Sequence, residues 1–197
     1  MKIVLASSNE HKVQEINEIA ADYGIDVKFI LPPNNFNPIE NGKTFQENSY
    51  IKAREAWKLA KSWILADDSG LCIDALNGAP GIYSARYADT PELRIKRVLN
   101  ELNGTADRKA YFACAMTLIN PQGKVEYSFE GRCEGTIIRE PRGKNGFGYD
   151  PIFLPRNYTK TIAELSEDEK NQISHRSVAL RQILNYIKTN LLITEIH

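Results

Sequence analysis

Two adjacent carboxylates, Asp67 and Asp68, followed by Ser69 and Gly70, stand at the end of the apolar run Trp63-Ile64-Leu65-Ala66. Crowded carboxylates repel one another unless a cation or a proton compensates, and oxygen-only ligands suit magnesium. Successive strand residues point to opposite faces, so one carboxylate can face a site while its neighbour turns away. Glu40, just before Gly42, and Glu47 are the candidate companions. Glu47 also stands at the third position of a helix opened by Thr44, where a capping box uses a glutamate. An aspartate capping the Ser69-Gly70 turn is the structural alternative for the pair.

A second polar segment, Ser7-Ser8-Asn9-Glu10-His11-Lys12, joins an apolar strand to a helix. Unpaired backbone N–H groups and the helix dipole attract anions there, and Lys12 adds a point charge. The glycines and the Gly-Lys-Ser/Thr ending of a Walker A loop are absent. The same residues could equally form a Ser/Asn cap beside a solvated lysine. Further on, Gly146-Phe147-Gly148-Tyr149-Asp150 offers backbone that can approach a ligand closely and a ring that can stack on a base. Lys170 and Ser174-His175-Arg176 supply a point charge, an imidazole and a planar donor fork. Ser69 and His175 have no third partner in sequence that would make a nucleophilic triad.

The elements that position these groups follow from periodicity and punctuation. Lys2 to Ala6 reads as a strand, and from about Asn9 a helix places Val13, Ile16, Ile19 and Ala20 inward before Gly24. Val27 to Leu31 suggests a second strand, and residues 32–38 an irregular loop rich in Pro and Asn. Thr44 and Glu47 start a helix through about Ser62 with Ile51, Ala53, Trp57 and Ala60 inward. A strand over Trp63 to Ala66 is expected to stop at Asp67. Thr90 and Pro91 open another helix that buries Leu93, Val98, Leu99 and Leu102 and ends at Gly104. Tyr111 to Ile119 and Val125 to Phe129 form a hairpin about residues 120–123, with bends expected at Gly131 and Gly135. Ile152 to Leu154 is a brief strand. Ser166 with Glu169 caps a helix, and Leu180, Leu184, Ile187 and Leu191 define the last amphipathic one. The expected class is α/β, with a mixed, substantially antiparallel sheet flanked by helices.

Composition bounds the function. The 197 residues suit one domain spanning 1–197. Lys plus Arg and Asp plus Glu each number 25, so a formal net charge of zero gives no general pull toward nucleic acid or an anionic membrane. Cys72, Cys114 and Cys133 are odd in number and without CxxC spacing, which suits a reducing cytoplasm. The first apolar run is too short for an export signal, and the longest uncharged run, Ala110 to Gly123, falls below the ~18 residues of a membrane span. A cytoplasmic protein with no nucleic-acid or membrane partner is the expectation.

Taken together and in this order, the motifs resemble the inosine triphosphate pyrophosphatase family, which acts on non-standard purine nucleoside triphosphates. The resemblance rests on Ala6-Ser7-Ser8-Asn9-Glu10-His11-Lys12, Thr44-Phe45-Gln46-Glu47-Asn48 with Lys52-Ala53, and Ala66-Asp67-Asp68-Ser69-Gly70-Leu71. It continues through residues 78–87, Gly146-Phe147-Gly148-Tyr149-Asp150-Pro151-Ile152-Phe153 and Ser174-His175-Arg176. Ser7-Ser8 stand where many relatives carry Thr-Gly, which keeps the hydroxyl and loses the glycine.

The resemblance implies an elongated α/β fold with two lobes around a central cleft, a homodimer and a Mg2+ requirement. The implied reaction converts ITP, dITP, XTP or dXTP to the monophosphate and pyrophosphate. Asp68 is then the catalytic residue, binding Mg2+ or acting as base toward the attacking water, with Glu40 as the second metal contact and Asp67 and Glu47 in reserve. Ser7, Ser8, Asn9, Glu10, His11, Lys12 and Ser69 are assigned to substrate binding, with Ser7, Asn9 and Lys12 holding the phosphates. Phe147, Gly148, Tyr149, Asp150, Lys170, His175 and Arg176 are assigned to substrate binding as well, with Phe147 stacking on the base and Asp150, Lys170 and His175 completing its edge contacts. A donor such as Arg176 favours the 6-oxo bases, since adenine would leave it facing another donor. Two other readings are a pyrophosphatase for modified pyrimidine triphosphates, resembling the septum-formation-inhibitor-like group, and a nucleotide sensor without turnover. The Phe147 and Ser174-His175-Arg176 motifs disfavour the first, and the paired carboxylates disfavour the second.

Overall fold

Ile3, Val4 and Leu5 are apolar in succession, as a strand covered on both faces requires, and they form β1 (Lys2–Leu5). The computed structural model describes residues 1–8, 10–33 and 36–192, with backbone alone at His11 and Glu15. After β1 come α1 (Glu10–Asp22), β2 (Lys28–Ile30), α2 (Phe45–Ala60) and β3 (Ile64–Ile73). Then follow α3 (Pro91–Glu101), β4 (Lys109–Ile119), β5 (Val125–Ile137), β6 (Phe153–Pro155), α4 (Glu167–Ile173) and α5 (His175–Tyr186). Among the described residues the strands make one six-stranded sheet in the order β2-β1-β3-β4-β5-β6. β1 runs parallel to β2 and β3, β5 runs antiparallel to β6, and a turn closed by Asn120 N–H on Lys124 O joins β4 to β5. The mixed α/β class expected from sequence is the one observed.

The chain divides into two compact units built from interleaved segments. The first comprises Met1–Asp68, Cys114–Gly131 and Ser177–His197. Its core packs Ile3, Leu5, Ile16, Phe29, Leu65, Met116, Leu180 and Leu184, and a neighbouring cluster sets Val4, Ala6 and Ile64 against Ala53 and Ala56 of α2. The alanines let α2 lie close to the strands. The second unit comprises Ser69–Ala113 and Arg132–Arg176, with Leu71, Ile73, Val98, Leu102, Phe112, Ile137, Ile152 and Phe153 in its core.

Helix starts match the capping chemistry. Thr44, Thr90 and Ser166 each accept from a backbone N–H three residues on, and Ser166 with Glu169 completes a capping box. α2 stops at Ala60, short of Ser62, because Lys61 turns left-handed at φ 49° and returns its N–H to Trp57 O.

Three expectations are corrected. β3 does not stop at Asp67 but continues to Ile73, since Leu71, Cys72 and Ile73 are apolar and buried beyond the acidic pair. β5 likewise runs through Gly131 and Gly135, where β6 packs against it. Leu93, in the first turn of α3, is 46% exposed, whereas Val98 and Leu102 are fully buried. None of the described helices is long and apolar enough to cross a membrane.

Candidate active site

The acidic pair sits in the middle of β3, and strand alternation separates its members. Asp67 faces inward, where Lys12 from α1 meets it with Nζ 2.5 Å from Oδ1 and its side chain is 2% exposed. Cys114 of β4 approaches the other oxygen at 4.0 Å. Lys12, expected on the substrate's phosphates, is thus ion-paired with Asp67. Asp68 faces the other way, toward α2 and the segment before it. Burial pushes its carboxyl up from the ordinary 3.8 to about 6, Lys52 and Asn48 pull against that rise, and Glu40 and Asp67 add to it. At neutral pH such a group is mostly ionised and more basic than a solvated aspartate.

Glu40 approaches the same place from the loop before α2, with Oε1 3.7 Å from Lys52 Nζ. Glu47 does not join it. Its carboxylate accepts the Lys43 N–H at 2.6 Å while its own N–H bonds Thr44 Oγ1, which is the capping role its spacing suggested. Asn48 and Lys52 lie one turn apart on the face of α2 turned toward Asp68. An adjoining face carries Gln46 and Ser49 to Thr117 and Ser128 of the hairpin, with Ser49 Oγ 2.7 Å from Thr117 Oγ1. Those bonds seat the helix.

Magnesium needs one or two carboxylates together with substrate phosphates and water, not a protein cage. Asp68 Oδ2 is buried without a hydrogen-bond partner, and Glu40 acts on it electrostatically. Among the described residues no three His, Cys, Asp or Glu side chains gather for a metal. Asp68 and Glu40 supply an all-oxygen pair of carboxylates, a donor set that fits a hard cation shared with a phosphate.

At the start of α1, Ser7 is partly exposed, Ser8 is exposed, and Glu10 is exposed in the first helical turn. Asn9 and the His11 side chain lie outside the described residues. Ser69, next to Asp68, is partly exposed.

The second unit gathers the other group of expected residues. Asp150 is buried, and its Oδ2 accepts the Phe147 N–H at 2.9 Å and Lys170 Nζ at 2.9 Å, which curls the loop around one carboxylate. Gly146 makes the curl feasible: its φ is +75°, and a Cβ would fall 2.1 Å from Asp150 Oδ2. The Phe147 ring is left 63% exposed, with Lys170 Nζ 4.6 Å and Arg176 Cζ 5.9 Å from its centroid. An exposed ring flanked by cations suits stacking on an electron-poor base with a carbonyl edge. His175 is fixed by stacking on Phe112 at 4.9 Å. Tyr149 points elsewhere. It is buried in the core, its hydroxyl donates to Ser84 O at 2.8 Å, and burial pushes its pKa up to about 12. A pocket of about 700 Å³ beside this loop is lined by α3 and residues 141–151, not by the acidic cluster.

Sequence reasoning missed Asn48. Its neighbours gave an amphipathic pattern, and a buried polar residue breaks such a pattern unless its bonds are satisfied. The available signal was its place one turn before Lys52 and six residues after Gly42.

Comparison with known proteins agrees along nearly the whole chain. Residues 3–186 match the model of the Ham1 family. The dITP/XTP pyrophosphatase of Treponema denticola is 46% identical over 197 residues, covering 95% of this chain and 99% of that one. That of Bacillus anthracis is 45% identical, covering 92% and 94%. Among solved structures, a HAM1 protein from Coxiella burnetii superposes with a TM-score of 0.88 at 45% identity, covering 95% of this chain and 98% of that chain. The nucleoside-triphosphatase, or dITP/XTP pyrophosphatase, of Mycobacterium abscessus gives a TM-score of 0.77 at 39% identity, covering 93% and 97%. The chain belongs to the Ham1 family.

Proposed function

We propose that this protein hydrolyses non-standard purine nucleoside triphosphates, dITP and XTP foremost, to the nucleoside monophosphate and pyrophosphate. The observation that carries the reading is its near full-length similarity to dITP/XTP pyrophosphatases. The desolvated Asp68 carboxylate supports it as a group able to hold or move a proton.

In this reading Asp68 takes the proton of the attacking water or holds a metal ion, and Glu40 is the second acidic contact. Lys52 offsets the crowding of the two acids. Residues at the start of α1, Lys12 included, take the phosphates. Bound magnesium would supply charge neutralisation for the departing pyrophosphate. Phe147 stacks on the base, Lys170 and Asp150 hold the loop that carries it, and Arg176 donates to the 6-oxo edge. A C6 carbonyl accepts that donor, whereas an amino group would leave it unsatisfied at a cost of ~1–3 kcal/mol.

Magnesium dependence, scission between the α- and β-phosphates, a homodimer and a cytoplasmic location belong to the same proposal. The three buried thiols, Cys72, Cys114 and Cys133, are compatible with a reducing compartment. Phosphorus NMR of the products from dITP tests the bond cleaved: monophosphate with pyrophosphate supports the reading, and diphosphate with orthophosphate refutes it. Sedimentation velocity tests the dimer.

A further inference from the structure

Asn48 is 1% exposed, and its two amide atoms have different fates. Oδ1 accepts the Gly42 N–H at 2.8 Å. Nδ2 is buried without a hydrogen-bond partner of ordinary geometry, and so is Asp68 Oδ2. A buried amide N–H without an acceptor is destabilising, and so is a buried carboxylate oxygen without a donor. The two side chains are neighbours, because Asn48 acts on the Asp68 carboxylate by a side-chain hydrogen bond, and each carries one buried polar atom of the character the other needs. The interaction is already felt, because Asn48 favours the ionised form of Asp68 against the effect of burial.

The amide cannot turn its oxygen to Asp68 without losing Gly42. Gly42 has no room to be anything larger, since a Cβ there would lie 2.7 Å from Asn48 Oδ1 and 2.8 Å from Glu47 Cβ. Gly42 is also two residues from Glu40, so one amide ties the segment carrying Glu40 to the strand carrying Asp68.

We propose that Asn48 is a positioning residue for the hydrolysis: clamped by Gly42, its Nδ2 steers Asp68 Oδ2 and leaves the other carboxylate oxygen for the reacting water or the metal. This rests on the assignment of Asp68 given above. Asn48 touches neither substrate nor reacting atoms, so its effect is on turnover and not on affinity.

Asn48→Asp separates this role from a structural one, because it keeps an acceptor for Gly42 and replaces the donor with a second acceptor. Pyrophosphate release from dITP with magnesium is followed for wild type, N48D, D68N and the double variant, with thermal unfolding alongside. The expected result is a fall in kcat of about 100-fold for N48D and KM within about threefold of wild type, with a midpoint lowered by the added buried carboxylate but still above the assay temperature. The double variant is expected to lose less than about threefold beyond D68N, as residues acting through one another are not additive. Turnover of N48D within about threefold of wild type overturns the proposal, as does a loss confined to KM or one that multiplies with that of D68N. Should N48D fail to fold, Asn48→Ala removes the amide without adding a charge, and a kcat fall of about tenfold at unchanged KM supports the role while unchanged kcat overturns it. Full activity of D68N, by contrast, would refute the Asp68 assignment itself, and this inference with it.

Discussion

Lys12 and Asp67 form an ion pair across the first unit, Nζ to Oδ1 at 2.5 Å, with side chains 17% and 2% exposed. Removing one partner of a buried pair strands the other charge, which costs far more than breaking a surface pair. Lys12→Ala is therefore expected to lower unfolding free energy by about 2–3 kcal/mol, and Lys12→Met with Asp67→Asn to recover a good part of it. The exposed pair Lys58 and Glu55, also at 2.5 Å, is the control. Glu55→Ala should change stability by less than about 0.5 kcal/mol. Urea denaturation of the four proteins measures both, and a Lys12→Ala loss no larger than that of the control would refute the buried pairing.

Asp68 makes a pH-dependent prediction. Its folded-state pKa of about 6, against an ordinary 3.8, means the folded chain holds a proton more tightly than the unfolded one. The ionised carboxylate therefore costs stability above about pH 6, and the cost fades as the pH falls toward 3.8. In metal-free buffer Asp68→Asn is expected to stabilise the fold by on the order of 2–3 kcal/mol at about pH 7.5 and by little at about pH 4. The same variant should lose activity by orders of magnitude. Equal stability of the two proteins at both pH values would contradict the burial of this charge.

Much of this arrangement is legible in the residues themselves. Thr44 with Glu47, Thr90 with Pro91, and Ser166 with Glu169 mark helix starts because capping is a local interaction between neighbours in sequence. The extent of β3 is not legible in the same way. Two aspartates read as a strand end, yet Lys12 and the groups around Asp68 compensate them from elsewhere in the chain. Tyr149 shows the same limit, since Phe147 two residues before it faces solvent while Ser84 O draws the Tyr149 hydroxyl into the core. Asn48 is the clearest case. Its role depends on Gly42 and Asp68, and only the fold brings these together.

The loop over residues 146–150 should tolerate little at Asp150. Asp150→Ala removes the acceptor of both the Phe147 N–H and Lys170 Nζ. The expected outcome is a KM for dITP raised about tenfold or more with a smaller change in kcat, because the base platform loosens while the acidic cluster is untouched. Steady-state kinetics decides it, and an unchanged KM would separate the Phe147 loop from substrate binding.

Arg176 is the candidate reader of the 6-oxo group. Arg176→Ala is expected to narrow the preference for ITP over ATP by about 10-fold or more, mostly through loss on ITP. The ratio of the two specificity constants is the readout. If that ratio is unchanged, selectivity lies with another donor.

Substrate profiling is the most direct test of a pyrophosphatase for non-standard purine triphosphates. Pyrophosphate release is measured from ITP, XTP, dITP, ATP, GTP and dTTP, each with magnesium and with EDTA. Magnesium-dependent release from ITP, XTP and dITP is expected, and hardly any from ATP. Equal turnover of ATP and ITP, or binding of ITP without any release, would contradict it.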